Sequence, residues 1–430
     1  MIKHFYAISA ILILFLSVCA QQTIEKDNST VMERSAEMIK GKFVQKEGNK
    51  LVLVNPFNVI NGNMNMVGSN INDNRINKRK IFDGGTDLNA ESFRIPSNIL
   101  LNNGDLLAFT QVQYDGASDY NNQDIGLARS NDFGKTWYDK QVLAAASSAD
   151  SRMLNPTFIY DSKENKIIMI VTEIFSTSET LWWTNEDADW DIYTFTSTDN
   201  GETWTKESIK ASVMDGRQEN WNVVMGGLGT GVKTEDGTYV FAAEVGYDDG
   251  TDARILNTLL YSDDLINWEL SEPTPERGDE ANIVLLDDGS IMMNARNYGT
   301  YEPKMRKVFV TSNLGINWTE HATHQTIPEN RATMGHTFRI KIDGSYYTLF
   351  SHMQSDTNTR KDLGISVLNN AGTAWNKVEL IEPDEYEGYS FLSWNERFYN
   401  RLFLTYEKDG DLLSVDLSYM LPKIEEAAEL

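Results

Sequence analysis

The sequence predicts an all-β protein of the β-propeller class. Three observations carry that expectation. An octad recurs along the chain, strand-turn-strand texture runs from about residue 82 onward, and helix periodicity is scarce.

The octad Ser130-Asn131-Asp132-Phe133-Gly134-Lys135-Thr136-Trp137 recurs as Ser197-Thr198-Asp199-Asn200-Gly201-Glu202-Thr203-Trp204. Weaker copies are Ser262-Asp263-Asp264-Leu265-Ile266-Asn267-Trp268 and Ser312-Asn313-Leu314-Gly315-Ile316-Asn317-Trp318, and a decayed one ends in Gly372-Thr373-Ala374-Trp375. Successive copies lie about 50–67 residues apart, room for one four-stranded sheet and its loops. In the full octad an Asp or Asn is expected to cap a tight turn, a Gly to take a positive φ, and a Trp to pack on the sheet. The acidic residues of the octads are therefore read as turn caps, and the octads define fold rather than function.

The strand texture is clearest in hairpin patterns. One spans Asn98–Phe109 around Asn102-Asn103-Gly104-Asp105, and Ile167–Ile174 follows the turn Asp161-Ser162-Lys163-Glu164-Asn165. Short helical candidates occur only near 31–40 and 423–430. Residues 60–80 are Asn-rich and read as loop. The expected organisation is an export signal over 1–20, a polar tether or lead-in over 21–81, and one propeller domain over 82–430.

Composition narrows the partners. The 430 residues carry a net charge of -25, which argues against nucleic acid, whose binding needs a basic footprint. An anionic small ligand would also be repelled by the bulk field and would need a local arginine cluster. The lone cysteine, Cys19, sits at the end of the apolar stretch Phe5–Val18, so the body has no disulfide or thiol chemistry. Leu16-Ser17-Val18-Cys19 resembles a bacterial lipobox, which would lipidate Cys19. Cleavage after Ala20 is the rival pattern, and both export the protein. A membrane is expected only through such an anchor, at the cell surface, in the periplasm or secreted, and the chain is expected to be a monomer.

The octad resembles the Asp box of the sialidase (neuraminidase) superfamily, and further segments match that family in its own order from about residue 90 to 410. Phe93-Arg94-Ile95-Pro96 looks like its F/Y-R-I-P, and Leu154-Asn155-Pro156 with Tyr160-Asp161 like its N-P…Y-D. Asp279-Glu280-Ala281-Asn282 is similar to N-E-A-Q, and Asn294-Ala295-Arg296-Asn297 to N-A-R. Thr359-Arg360-Lys361-Asp362-Leu363-Gly364 resembles R-x-D-L-G, Gly388-Tyr389-Ser390 resembles A-Y-S, and Tyr406-Glu407 resembles the closing Y-E.

The resemblance implies a six-bladed propeller that releases terminal sialic acid, with no cofactor and no metal. It places an arginine triad for the substrate carboxylate on Arg94, Arg296 and Arg360, and the nucleophile on Tyr389. It makes Glu280 the base for Tyr389, Asp119 the acid/base residue, with Asp115 as the backup, and Glu407 the partner of Arg94. Asn155 is a candidate pocket residue. One position departs from the family. An arginine usual shortly before the acid/base aspartate is here Gln113, which bears on the contact to the sugar's 4-hydroxyl.

The chemistry suits these residue types. Guanidinium groups grip a carboxylate through planar, charge-assisted forks that lysine cannot reproduce. A carboxylate nucleophile would meet the charge of the substrate's own carboxylate, and sialidases are the known exception that uses a tyrosine. A phenol needs a neighbouring base at neutral pH. Sialylated glycans are thus the expected partners. The alternatives are a related 2-keto sugar acid (deaminated neuraminic acid or 3-deoxy-octulosonic acid), a glycan-binding propeller without catalysis, and intramolecular transfer to an anhydro sugar. Trp182, Trp183 and Trp190 are candidates for a glycan rim, with loop packing as the alternative. The scattered histidines, among them His321 and His324, are not expected to hold a metal.

Overall fold

The computed structural model describes residues 77–178, 187–215, 219–297, 304–328, 333–355 and 359–430, with the backbone of two short strands, β1 (Phe43–Glu47) and β2 (Lys50–Val54). The chain divides into two compact units, Met1–Asn72 and Asp73–Leu430. In the first, β1 and β2 pair as an antiparallel hairpin. Cys19, Trp182, Trp183 and the helical candidate at 31–40 lie outside the described residues.

The second unit is a propeller-like succession of antiparallel meanders. After β3 (Arg79–Phe82) come β4 (Ser92–Leu100), β5 (Leu106–Gln113), β6 (Gln123–Ser130) and β7 (Tyr138–Ala144). The next four are β8 (Arg152–Asp161), β9 (Lys166–Ile174), β10 (Trp190–Ser197) and β11 (Thr205–Ser208). These two meanders form one eight-stranded sheet, joined by a single parallel bridge, Gln123 to Arg152. A five-stranded sheet holds β12 (Trp221–Gly226), β13 (Val232–Lys233), β14 (Tyr239–Asp248), β15 (Ala253–Ser262) and β16 (Glu269–Leu270).

Two four-stranded sheets follow. The first holds β17 (Ala281–Leu285), β18 (Ile291–Ala295), β19 (Lys307–Thr311) and β20 (Thr319–Glu320). The second holds β21 (His336–Ile342), β22 (Ser345–Met353), β23 (Lys361–Leu368) and β24 (Trp375–Tyr386). The last sheet takes β25 (Ser390–Ser393), β26 (Phe403–Lys408), β27 (Asp411–Asp416) and, from the other end of the unit, β3. Residues 79–81, assigned from sequence to the lead-in, are therefore sheet-forming. The charged run Lys78-Arg79-Lys80 hides the signal, but Ile81 and Phe82 are fully buried and Phe82 stacks on Phe93 at 4.7 Å.

The octads turn the chain from β6 to β7, β10 to β11, β15 to β16, β19 to β20 and β23 to β24. In the first, Gly134 N–H donates to Ser130 Oγ at 2.8 Å, and Asp132 accepts from the Thr136 amide and hydroxyl at 2.9 and 2.7 Å. The second repeats this through Ser197, Asp199 and Thr203. Hydrogen bonds from Thr203 hold Asp199 down at about 2, as a permanent carboxylate cap. The fourth copy starts one residue earlier than its sequence suggests. Thr311 takes the serine's place, with its Oγ1 accepting from Gly315, while Asn313 caps Asn317. In the decayed copy Asn369 caps Thr373 and Ala374. Among the octad tryptophans Trp268 is buried, whereas Trp137, Trp204, Trp318 and Trp375 are half-buried at sheet margins.

Apolar faces of successive meanders pack on one another, as where Phe109 of β5 meets Phe158 of β8 at 4.2 Å. A helix, Leu421–Ala428, ends the chain close to the 423–430 candidate.

Candidate active site

Two bulges on strands that open meanders aim side chains into one cavity. On β4 the ladder shifts between Arg94 and Ser97, and Ile95 takes φ 52°, a costly conformation for a β-branched residue. Glu407 on β26 holds it there: its Oε1 accepts from Ile95 N–H at 2.6 Å, and its Oε2 lies 3.7 Å from Arg94 Nε. Gly388 gives that carboxylate room. A Cβ at 388 would fall 1.9 Å from Glu407 Oε2, so no other residue fits without displacing it. On β8 the shift lies between Leu154 and Thr157. Asn155 takes φ 55° and donates to the Gly226 carbonyl at 3.0 Å.

Tyr389 sits directly after Gly388, at the start of the last meander, and is 3% exposed. Its hydroxyl donates to Glu280 Oε1 and Oε2 at 2.7 and 2.5 Å and accepts from Arg296 Nη1 at 2.7 Å. Glu280 and Arg296 meet because β17 and β18 pair Ala281 with Ala295, which leaves the two residues facing each other at the sheet end. Arg296 also pairs with both Glu280 and Asp279, the latter at 3.1 Å. The guanidinium carbons of Arg94 and Arg360 lie 5.6 and 5.7 Å from the Tyr389 ring centre. Three arginines, more than two hundred and fifty residues apart at the extremes, thus surround one phenol.

Asp119 stands on the loop after β5 with its side chain largely exposed, and its Oδ1 accepts from Arg94 Nη1 at 2.7 Å. Burial raises the Tyr389 phenol well above its ordinary value; Arg296 opposes that rise and Glu280 adds to it. Burial works against charge on Arg94, but Glu407 and Asp119 outweigh it and hold the guanidinium firmly protonated.

The cavity measures about 820 Å³. Arg94, Asp119, Asn155, Glu280, Arg296, Arg360, Tyr389 and Glu407 all line it. Gln113 does not. It is fully buried behind the wall, and its Oε1 accepts from Ser92 Oγ at 3.0 Å, a residue that itself lines the space. Asp115 is exposed and outside the lining. Trp190 is a core residue beginning β10, packed with Trp221 and Trp268, and forms no rim. Away from the cavity, Glu276, Glu320 and His324 bring ligand atoms within 4.8 Å of one another, and Lys307 occupies Glu276 at 2.9 Å.

Several lining residues belong to no motif of the sequence. Arg152 opens β8, donates to the Asp119 carbonyl at 3.0 Å and lies over the Tyr120 ring at 5.1 Å. It supplies a fourth guanidinium from a different strand than Gln113. Glu244 lies within the apolar run Tyr239–Val245, where a lone carboxyl is itself a signal, since unpaired buried charge is rare. Glu387, two residues before Tyr389, is buried against Lys408 at 2.9 Å; burial pushes it up to about 7 against the opposing pull of Lys408.

The BNR repeat-like domain family matches residues 95–392. A sialidase of Paraclostridium sordellii is 27% identical over 396 residues, covering 86% of this chain and 95% of that protein. A sialidase of Clostridium perfringens is 29% identical over 240 residues, covering 54% of this chain and 61% of that one. The solved structure of the Hadza microbial sialidase Hz136 superposes with a TM-score of 0.70 at 23% identity, covering 80% of this chain and 69% of that one. The fold and these matches define the class: a sialidase-superfamily propeller. Within it, the chain belongs to the BNR repeat-like family.

Proposed function

We propose that this protein is a retaining exo-sialidase, which releases terminal α-linked sialic acid from glycans on a six-bladed propeller. Division of the eight-stranded sheet at its single Gln123–Arg152 bridge supports the six-blade count. The observation that carries the reaction is the Tyr389 hydroxyl, which faces the Glu280 carboxylate on one side and the Arg296 guanidinium on the other.

The substrate's carboxylate would bind among Arg94, Arg296 and Arg360, where planar forks match it and offset the repulsion of a strongly acidic protein. This seats the anomeric carbon over Tyr389. Glu280 takes the phenolic proton as the oxygen attacks, and the Arg296 N–H stabilises the charge that develops on that oxygen. Asp119 gives a proton to the leaving glycosidic oxygen, then takes one from the water that cleaves the tyrosyl–sugar bond, while Glu280 returns its proton to the departing phenol oxygen. Two displacements at one carbon retain configuration. Substrate binding would draw Arg94 from Asp119 to the incoming carboxylate and free the acid for its role.

The test is release of 4-methylumbelliferone from its α-glycosides of N-acetylneuraminic acid, deaminated neuraminic acid and 3-deoxy-octulosonic acid. The proposal expects fastest turnover of the first, with loss of release in Tyr389→Phe. Turnover confined to either of the others would move the assignment to that sugar acid.

A further inference from the structure

Glu244 is unexplained by the reaction just described. It stands on β14 opposite Met225 of β12 and Asn257 of β15, and is 1% exposed. Its Oε1 is sealed and has no hydrogen-bond partner, an expensive condition for a polar atom. Yet the residue lines the cavity beside Met225 and Leu154. The charged and titratable groups facing it are Asp279 and Glu280 ahead of β17 and Arg296 after β18. Its two cross-strand neighbours do not titrate. Two carboxylates against one guanidinium, already paired with both of them, leave nothing to compensate a third negative charge.

We infer that Glu244 is a substrate-binding residue held as the neutral acid, hydrogen-bonding an uncharged polar group of the acidic sugar. The inference rests on the cavity being the sugar-acid site proposed above. A neutral carboxyl both donates and accepts, so its second oxygen, the one not sealed, could meet a hydroxyl or amide of the ligand. An ionised carboxylate there would repel the ligand's own carboxylate. Desolvation raises its pKa well above the ordinary carboxyl range, Asp279 and Glu280 raise it further, and Arg296 opposes them. The sign follows: the binding form exists at low pH and is lost as pH rises through the folded-state value, so ligand binding above it must take up a proton.

The experiment is calorimetric titration of the full chain with the 2,3-unsaturated analogue of N-acetylneuraminic acid across pH 5–9. It is run in buffers of different ionisation enthalpy, on wild type, Glu244→Gln and Glu244→Ala. The wild type should weaken with rising pH and show proton uptake. Glu244→Gln, neutral at every pH, should lose both the uptake and that alkaline weakening. Glu244→Ala should bind about tenfold more weakly at pH 5, the loss of roughly one hydrogen bond, with partial rescue by Gln. Circular dichroism melts identify a variant that fails to fold, and Glu244→Gln alone then decides the matter. Proton uptake unchanged in Glu244→Gln would overturn the inference. Turnover is read separately: binding that follows this pattern in a protein that cleaves no sialoside would sink the catalytic proposal and leave the role of Glu244 standing.

Discussion

Tyr389 and Glu280 are hydrogen-bonded: the phenol donates to both carboxylate oxygens, at 2.7 and 2.5 Å, from positions 109 residues apart in sequence. Glu280→Gln keeps the shape and removes the group proposed as the base. Turnover should fall by about 10²–10⁴-fold, the range typical of general acid–base groups, while affinity for a non-hydrolysable ligand changes little. Steady-state kinetics paired with calorimetry would check this, and a raised KM at unchanged kcat would contradict it.

Gly388 is the hinge of the Arg94 anchor. Gly388→Ala drives a methyl into Glu407, whose carboxylate holds both the Ile95 amide and Arg94. Overpacking and loss of those bonds should cost about 1–3 kcal/mol in a denaturant melt and raise KM sharply. Unaltered stability and KM would show that Glu407 does not organise this corner.

Glu387 gives stability a pH dependence. Its folded value is raised from 4.5 to about 7. A raised carboxyl favours the folded state fully below the unfolded value, and that contribution fades as pH climbs from about 4.5 to 7. Glu387→Gln should therefore flatten the fall in Tm over that window. Melts at intervals of half a pH unit would show it, and identical slopes would refute it.

Asp199 lies outside the site. Thr203 bonds hold its carboxylate down at about 2, so its contribution to stability is present above the ordinary value of 3.8 and is lost as pH falls through 2. Asp199→Ala should lower Tm and leave kcat/KM unchanged, as befits a turn cap. A drop in kcat/KM in folded protein would give the octad a functional role.

The chain's legibility was uneven for physical reasons. The octads carry their own hydrogen bonds within five residues, so Ser130, Asp132, Gly134 and Thr136 announce the turn locally. Family motifs placed Arg94, Glu280, Arg296, Arg360 and Tyr389, and the fold brings all five to one cavity. Arg152 and Glu244 belong to no motif, and their place at the cavity depends on which strands become neighbours. The place of Gln113 outside the lining is hidden from sequence for a similar reason. Whether a strand-end side chain reaches the cavity or stops behind Ser92 depends on packing that no linear spacing records. β3 was missed because the pairing that closes the last sheet spans more than three hundred residues.

The most direct measurement is covalent trapping at the phenol. A sialic acid analogue with fluorine at C3 and fluoride as the C2 leaving group should form the tyrosyl–sugar bond quickly and break it slowly. After proteolysis and mass spectrometry, the sugar mass should appear on the peptide containing Tyr389 and be absent in Tyr389→Phe. Label on Glu280 or Asp119, or rapid turnover with no label on Tyr389, would contradict a tyrosine nucleophile.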